Sequence, residues 1–214
     1  LHVVDGVCPT SVIAGGFVVA AGLTAYSLPA LERASPPRVA MLTAAFFSAS
    51  LLAFPVGPSS VHFSLLGVVG IVLGRAAFPA VLVGLLLQRL LFGHGGVTTL
   101  GINATTMGCG ALLAGAIWRL GREPSALRAG LATALGLGTA IVLYALALAS
   151  SGAGLRKVAY AAFALQLPVL VLEVGLSVAV VRFLARVQPD LLGLPLAPTS
   201  EAAAEASEVS ADAR

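Results

Sequence analysis

Three stretches of this chain, residues 39–74, 90–118 and 129–155, contain no Asp, Glu, Lys or Arg. Segments this apolar are read as membrane helices, because lipid offers backbone amides no partner and a helix satisfies its own. Composition points the same way: 58% of the 214 residues are apolar and 10% are charged, against about 25% charged in soluble proteins. The expectation is an all-α integral membrane protein. Two cysteines, Cys8 and Cys109, lie in apolar surroundings without C-x-x-C spacing, so they read as inert small apolar residues and not as thiolate ligands or a disulfide.

Pro, Gly and charge clusters bound seven predicted spans at about 11–31, 38–54, 61–74, 76–92, 104–119, 126–150 and 158–184. They make up a membrane domain of residues 1–187, preceded by a candidate metal-capture terminus at 1–10. Several are shorter than the roughly 20 residues a straight span needs, so neighbouring loops are expected to dip into the protein. Residues 188–214 form a tail, predicted to be disordered from about 198, where Ala, Glu and Ser carry too little bulky apolar surface to offset the entropy of ordering.

Basic residues are retained on the cytoplasmic side. With seven spans, Arg33, Arg38, Arg75, Arg119, Arg122, Arg128, Arg182 and Arg186 gather on one face, leaving Arg156 and Lys157, with Arg89 near a span end, for the other. The N-terminus is thus expected outside and the C-terminus inside. The only histidines, His2, His62 and His94, then share the outer face.

His2 is second in the chain. A terminal amine at Leu1, the following amide and the His2 imidazole can close fused chelate rings on one metal ion. The Pro- and Gly-rich connection before His62 is expected to present it at a helix start. In the connection holding His94, glycines allow close backbone approach, and Thr98, Thr99 and Asn103 can hydrogen-bond to other loops or to ligand-bearing side chains. Asp5 has two open roles, as acceptor for an imidazole of His2 or His62 or as cap of the first helix. Glu173, deep in the last span, is a functional suspect by cost alone; it either orients the central loops or pairs with Arg89.

Leu1-His2-Val3-Val4-Asp5-Gly6 resembles the M-H-I-x-D-G opening of the CbiM/NikM family, substrate-capture subunits of energy-coupling-factor transporters for cobalt and nickel. The similarity continues through 55–62, through Gly93-His94-Gly95-Gly96-Val97-Thr98-Thr99-Leu100-Gly101-Ile102-Asn103, and from Leu167 to Asp190. The resemblance implies a six-helix core with an added N-terminal helix, in a multi-pass protein of the bacterial cytoplasmic membrane. It also implies metal ligation by the residue-1 amine, His2 and His62, with His94 in a supporting or entry role. The implied cargo is Co2+, for cobalamin synthesis, or Ni2+, with no permanently bound cofactor. The implied partners are a CbiQ/NikQ-type coupling subunit, a CbiO/NikO-type ATPase and a small CbiN/NikN-type subunit. Leu1 departs from the family's Met: either a TTG or CTG start codon stands behind it, or a Met precedes it and His2 is third.

Nitrogen ligands in a planar arrangement suit Ni(II) and Cu(II) over the oxygen-seeking Mg(II) and Ca(II). Binding displaces protons from an amine of ordinary pKa about 7.7 to 8.0 and imidazoles near 6.5, so capture is expected to fail below about pH 6. The chain holds no phosphate loop of the G-x-x-x-x-G-K-S/T kind and no H-E-x-x-H helix, so neither an ATPase site nor a metalloenzyme is expected. The rival reading is a partner-independent metal carrier or channel, which predicts dependence on an ion gradient.

Overall fold

The computed structural model describes residues 1–56 and 59–193. Among them are seven α-helices: α1 (Thr10–Arg33), α2 (Pro36–Ser50), α3 (Leu66–Leu73), α4 (Ala77–Phe92), α5 (Leu100–Trp118), α6 (Ala126–Ser150) and α7 (Ala153–Val187). Sequence punctuation sets many of the limits. Pro36 and Pro37 open α2, where a missing N–H costs nothing; the Ser125 hydroxyl accepts the Arg128 N–H to cap α6; Gly93, left-handed at φ 69, closes α4.

Two expectations are corrected here. Residues 61–65 are not helix: Ala53–Val56 (β1) and Ser59–His62 (β2) form an antiparallel hairpin, with Ala53 opposite His62 and Pro55 opposite Ser60. Proline disfavours helix in the residue before it and is tolerated in an edge strand, and a two-stranded hairpin is all edge. The final helix is also longer than the predicted 158–184. It runs for 35 residues, about 52 Å at 1.5 Å per residue, against a hydrocarbon core of roughly 30 Å. Arg156 and Lys157, which bounded the predicted span, lie within its first turns.

Five helical stretches are long and apolar enough to cross a membrane: α1, residues 66–92, α5, α6 and α7. The architecture is that of a helical membrane protein, with Val18, Leu90 and Val171 among the large apolar side chains facing outward. The 66–92 stretch reverses at Gly74, whose φ of 57 breaks the helix. Its start follows Ser64, its end leads to His94 beside His2, and its middle lies against Arg119, into which a Cβ on Gly74 would run. Connections consequently alternate between two ends of the bundle. Residues 1–8, 62–64, 93–99 and 151 share one end; 75, 119 and 192 share the other.

Every residue of α3 is buried, and α5 packs on α1, α3, α4 and α6. Small residues bring the backbones together as membrane packing favours. A Cβ on Gly110 would come 2.7 Å from the Gly136 carbonyl, one on Gly136 2.6 Å from the Gly110 carbonyl, and one on Gly70 would collide with the Ala111 carbonyl. α1 crosses α5 at Gly16 and Gly101, where a Cβ on Gly101 would lie 2.6 Å from the Phe17 nitrogen.

The membrane domain does not stop at 187. A single 3-10 turn, Pro189–Leu192, folds back so that the Trp118 indole N–H donates to the Leu192 carbonyl at 2.9 Å, with Leu192 fully buried and the Arg128 guanidinium over the indole ring. An indole needs a partner for its N–H when buried, which gives this turn its place. The predicted disordered tail from about 198 lies outside the described residues.

Candidate metal site

Residues 1–5 run back into the bundle, with Leu1, His2 and Val3 buried. Val3 is the anchor. Its N–H donates to Asn103 Oδ1 at 2.8 Å, and its carbonyl accepts from Asn103 Nδ2 at 3.0 Å and from Thr99 Oγ1 at 2.6 Å. One carboxamide thus answers both backbone groups of one residue, completing the pairing that burial demands. A Cβ on Gly95, at φ 70, would press on both Asn103 and His2, so the 93–99 segment closes over this anchor through bare backbone.

Asp5 does neither job open to it in the sequence. Its Oδ1 accepts from the Thr98 N–H and hydroxyl, at 2.9 and 2.5 Å, and its Oδ2 from the Val97 N–H at 3.1 Å. The Arg89 guanidinium stands 3.7 Å from Oδ2 and donates to the Gly93 and Gly95 carbonyls. Asp5 and Arg89 therefore fasten the 93–99 segment to the terminal one. The Thr98 hydroxyl first, then the backbone donors, hold the Asp5 carboxyl below its usual range.

Held at Val3, Leu1 and His2 are 2% and 4% exposed. The Leu1 nitrogen lies 3.1 Å from His62 Nε2, and the His2 and His62 rings are 4.6 Å apart, tilted by 30°. His62 Nδ1 donates to the Phe63 carbonyl at 2.9 Å, so the Nε2 lone pair faces the Leu1 nitrogen. That is the arrangement in which one ring nitrogen is fixed by a hydrogen bond and the other is left to ligate. His94 stands further off, half-buried, 6.3 Å from the His2 ring. Among the described residues no three His, Cys, Asp or Glu side chains could hold a metal together.

His62 ends β2, instead of starting a helix, and α7 holds it there. Gln166 donates to the His62 carbonyl at 3.5 Å. The Ser64 N–H and hydroxyl donate to the Glu173 carboxylate, the N–H at 2.5 Å and the hydroxyl at 2.9 and 3.1 Å. These bonds steady Leu65, a non-glycine residue at φ 53, a conformation that costs about 1–3 kcal/mol. Glu173 accordingly orients a loop; its suggested pairing with Arg89 is not made, since Arg89 faces Asp5.

Burial governs the site's protonation. Loss of water lowers the residue-1 ammonium to about 5, although Glu173 attracts its charge. His2 falls to about 3, by burial and then by repulsion from the ammonium. His62 falls well below its ordinary value for the same two reasons, in that order. Burial thus works against charge on all three nitrogens and favours their neutral, lone-pair forms.

The structure therefore brings the Leu1 nitrogen, His2 and His62 together, sets Asp5 and Thr98 in one fastening cluster and Asn103 in another, and leaves His94 at the edge. Sequence reasoning passed over Ser64, Gln88 and Gln166. The two glutamines carried a signal, as lone carboxamides among the apolar residues of α4 and α7; Ser64 carried none.

The family described as "Cobalt uptake substrate-specific transmembrane region" matches residues 2–191. A candidate metal transport protein of Haemophilus influenzae is 35% identical over 199 residues, covering 90% of this chain and 97% of that protein. The fused nickel transport protein NikMN of Rhodobacter capsulatus is 31% identical over 159 residues, 68% of this chain and 46% of its own length. A crystal structure of a transition metal transporter shares the fold, with a TM-score of 0.74 at 19% identity over 87% of this chain and 93% of that one. The anchored, histidine-bearing terminus thus sits on a shared helical scaffold, and the chain belongs to the CbiM/NikM family of cobalt and nickel uptake components.

Proposed function

We propose that this transport component captures Co2+ or Ni2+ at the outer face of the bacterial cytoplasmic membrane, as the substrate-specific subunit of an ATP-driven energy-coupling-factor importer. The observation that carries the reading is the buried trio of nitrogens at Leu1, His2 and His62, with the Leu1 nitrogen 3.1 Å from His62 Nε2. With residue 1 as the mature terminus, its amine, the His2 amide and the His2 imidazole chelate the ion, and His62 completes a planar nitrogen set. Such a set favours Ni2+ over Co2+ by the general order of affinity. The ion is cargo, not a resident cofactor. His94, beside the mouth of the site, serves its entry.

In this reading the chain crosses seven times, with α3 and α4 as the two legs that meet at Gly74, the N-terminus outside and the C-terminus in the cytoplasm. The support is the arginine asymmetry: Arg75, Arg119 and Arg128 fall at the bundle end opposite the histidines. Energy is supplied by partners of the CbiQ/NikQ, CbiO/NikO and CbiN/NikN types.

Calorimetric titration of the protein with an untagged N-terminus tests the reading. Ni2+ and Co2+ are expected to bind one to one, with binding lost in His2→Ala and in His62→Ala. Absent binding, or binding indifferent to both histidines, overturns the site and favours a partner-independent carrier.

A further inference from the structure

Among the described residues, three buried polar atoms of two neighbouring side chains have no hydrogen-bond partner: His2 Nε2, Gln88 Nε2 and Gln88 Oε1. Gln88 is fully buried, and a buried carboxamide left open is costly, so its position calls for a use. It stands in the last turn of α4, which is tied to the terminal segment on either side. The next residue, Arg89, reaches Asp5, and the Gln88 carbonyl accepts the His94 N–H at 3.3 Å. Its side chain is close enough to act on the His2 ring by hydrogen bonding, although the bond is not closed.

Chelate geometry says which ring nitrogen needs that help. A ring joining the His2 amide nitrogen to its imidazole runs through Cα, Cβ and Cγ, and Nδ1 is the nitrogen it meets. Nε2 lies on the far side and must then carry the proton. A neutral imidazole has one N–H and one lone pair, so Nδ1 can ligate only while Nε2–H is held by an acceptor. His62 solves the mirror problem with the Phe63 carbonyl. We infer that Gln88 is the positioning residue for His2: its Oε1 accepts the Nε2 proton, fixes the tautomer and turns the Nδ1 lone pair toward the ion.

This inference rests on the proposed capture site, and two measurements on the full-length protein with an untagged terminus separate them. The first is Ni2+ titration of the wild type, His2→Ala, Gln88→Leu and Gln88→Glu. The second is the His2 tautomer in metal-free wild type and Gln88→Leu, read from 15N shifts of labelled histidine. Gln88→Leu, which removes the acceptor at similar volume, is expected to weaken Ni2+ binding about 10–100-fold, as loss of an outer partner commonly does, and to shift His2 away from the Nε2–H form. Gln88→Glu keeps the acceptor and stays within a few-fold of wild type. Wild-type affinity in Gln88→Leu, an unchanged tautomer, or an equal loss in Gln88→Glu overturns the inference. Binding that survives His2→Ala instead overturns the capture site itself.

Discussion

The first three residues of this chain are more deeply buried than the helix that follows them. Leu1, His2 and Val3 are 2%, 4% and 1% exposed, whereas the most apolar window of α1 is 11% buried, against 83% for residues 66–92. Helix α1 spans 24 residues, with only Ala20 and Ser27 fully buried. Burial of a polar terminus costs desolvation, and burial of a helix face returns hydrophobic free energy. Here the expensive part is inside and the inexpensive part is outside. Residues 1–3 are held inside by the bonds of Asn103 and Thr99 to Val3, and α1 leads away from them along the outside of the bundle.

The contrast can be broken most severely by adding two residues ahead of Leu1. The primary amine then leaves its place beside His62, and Ni2+ affinity is expected to fall by about a thousandfold or more, roughly 4 kcal/mol at tenfold per 1.4 kcal/mol, as read by calorimetry. Acid is the next lever. Because burial holds the amine at about 5 and His2 at about 3, capture should persist to near pH 5, lower than the pH 6 expected from ordinary values. Below that, affinity falls about tenfold per pH unit for each proton displaced. The metal-free fold behaves with the opposite emphasis. Between the ordinary and the lowered pKa the unfolded chain binds protons that the folded one does not, so stability declines as pH falls from about 8 to 5 for the amine, and from about 6.5 to 3 for His2. Thermal melts of metal-free protein across pH 8 to 4 check this sign.

Asn103→Ala removes both carboxamide bonds to Val3. It is expected to cost about 1–3 kcal/mol, the range for leaving a buried amide unsatisfied, and to weaken Ni2+ binding correspondingly while the helical content stays constant by circular dichroism. Asp5→Asn, at a half-exposed fastening, should lower affinity only a few-fold in the same titration. Val18→Ala, on the outward side of α1 at 73% exposure, sharpens the contrast from the other direction: stability should shift by no more than about 0.5 kcal/mol, with Ni2+ binding unchanged.

Much of the architecture was legible because lipid leaves the backbone few choices. Uncharged runs marked α5 and α6 within a few residues. What escaped was set by partners distant in sequence. Pro55 and Pro58 argue against helix, yet the pairing of Ala53 with His62 is a property of two strands meeting. In the site, His2 and His62 stood out as two of only three histidines, while Ser64 is an ordinary serine until Glu173, 109 residues later, reaches its N–H. Asp5 was noticed for its proximity to His2; its true partners, Thr98 and Arg89, are brought to it by the Gly93 turn, which no local pattern around residue 5 foretells.

The carbonyl-to-glycine contacts at Gly70 and Ala111, and at Gly110 and Gly136, carry a mechanical consequence. Backbones that touch without intervening side chains have no slip plane, since sliding by even a fraction of a residue would drive a carbonyl into the neighbouring chain. Helices α3, α5 and α6 must travel as one block. The cheaper displacement lies in the half-exposed stitching of Asp5, Arg89, Val97 and Thr98, so the terminal strap can be unlaced without prising apart the bundle beneath it.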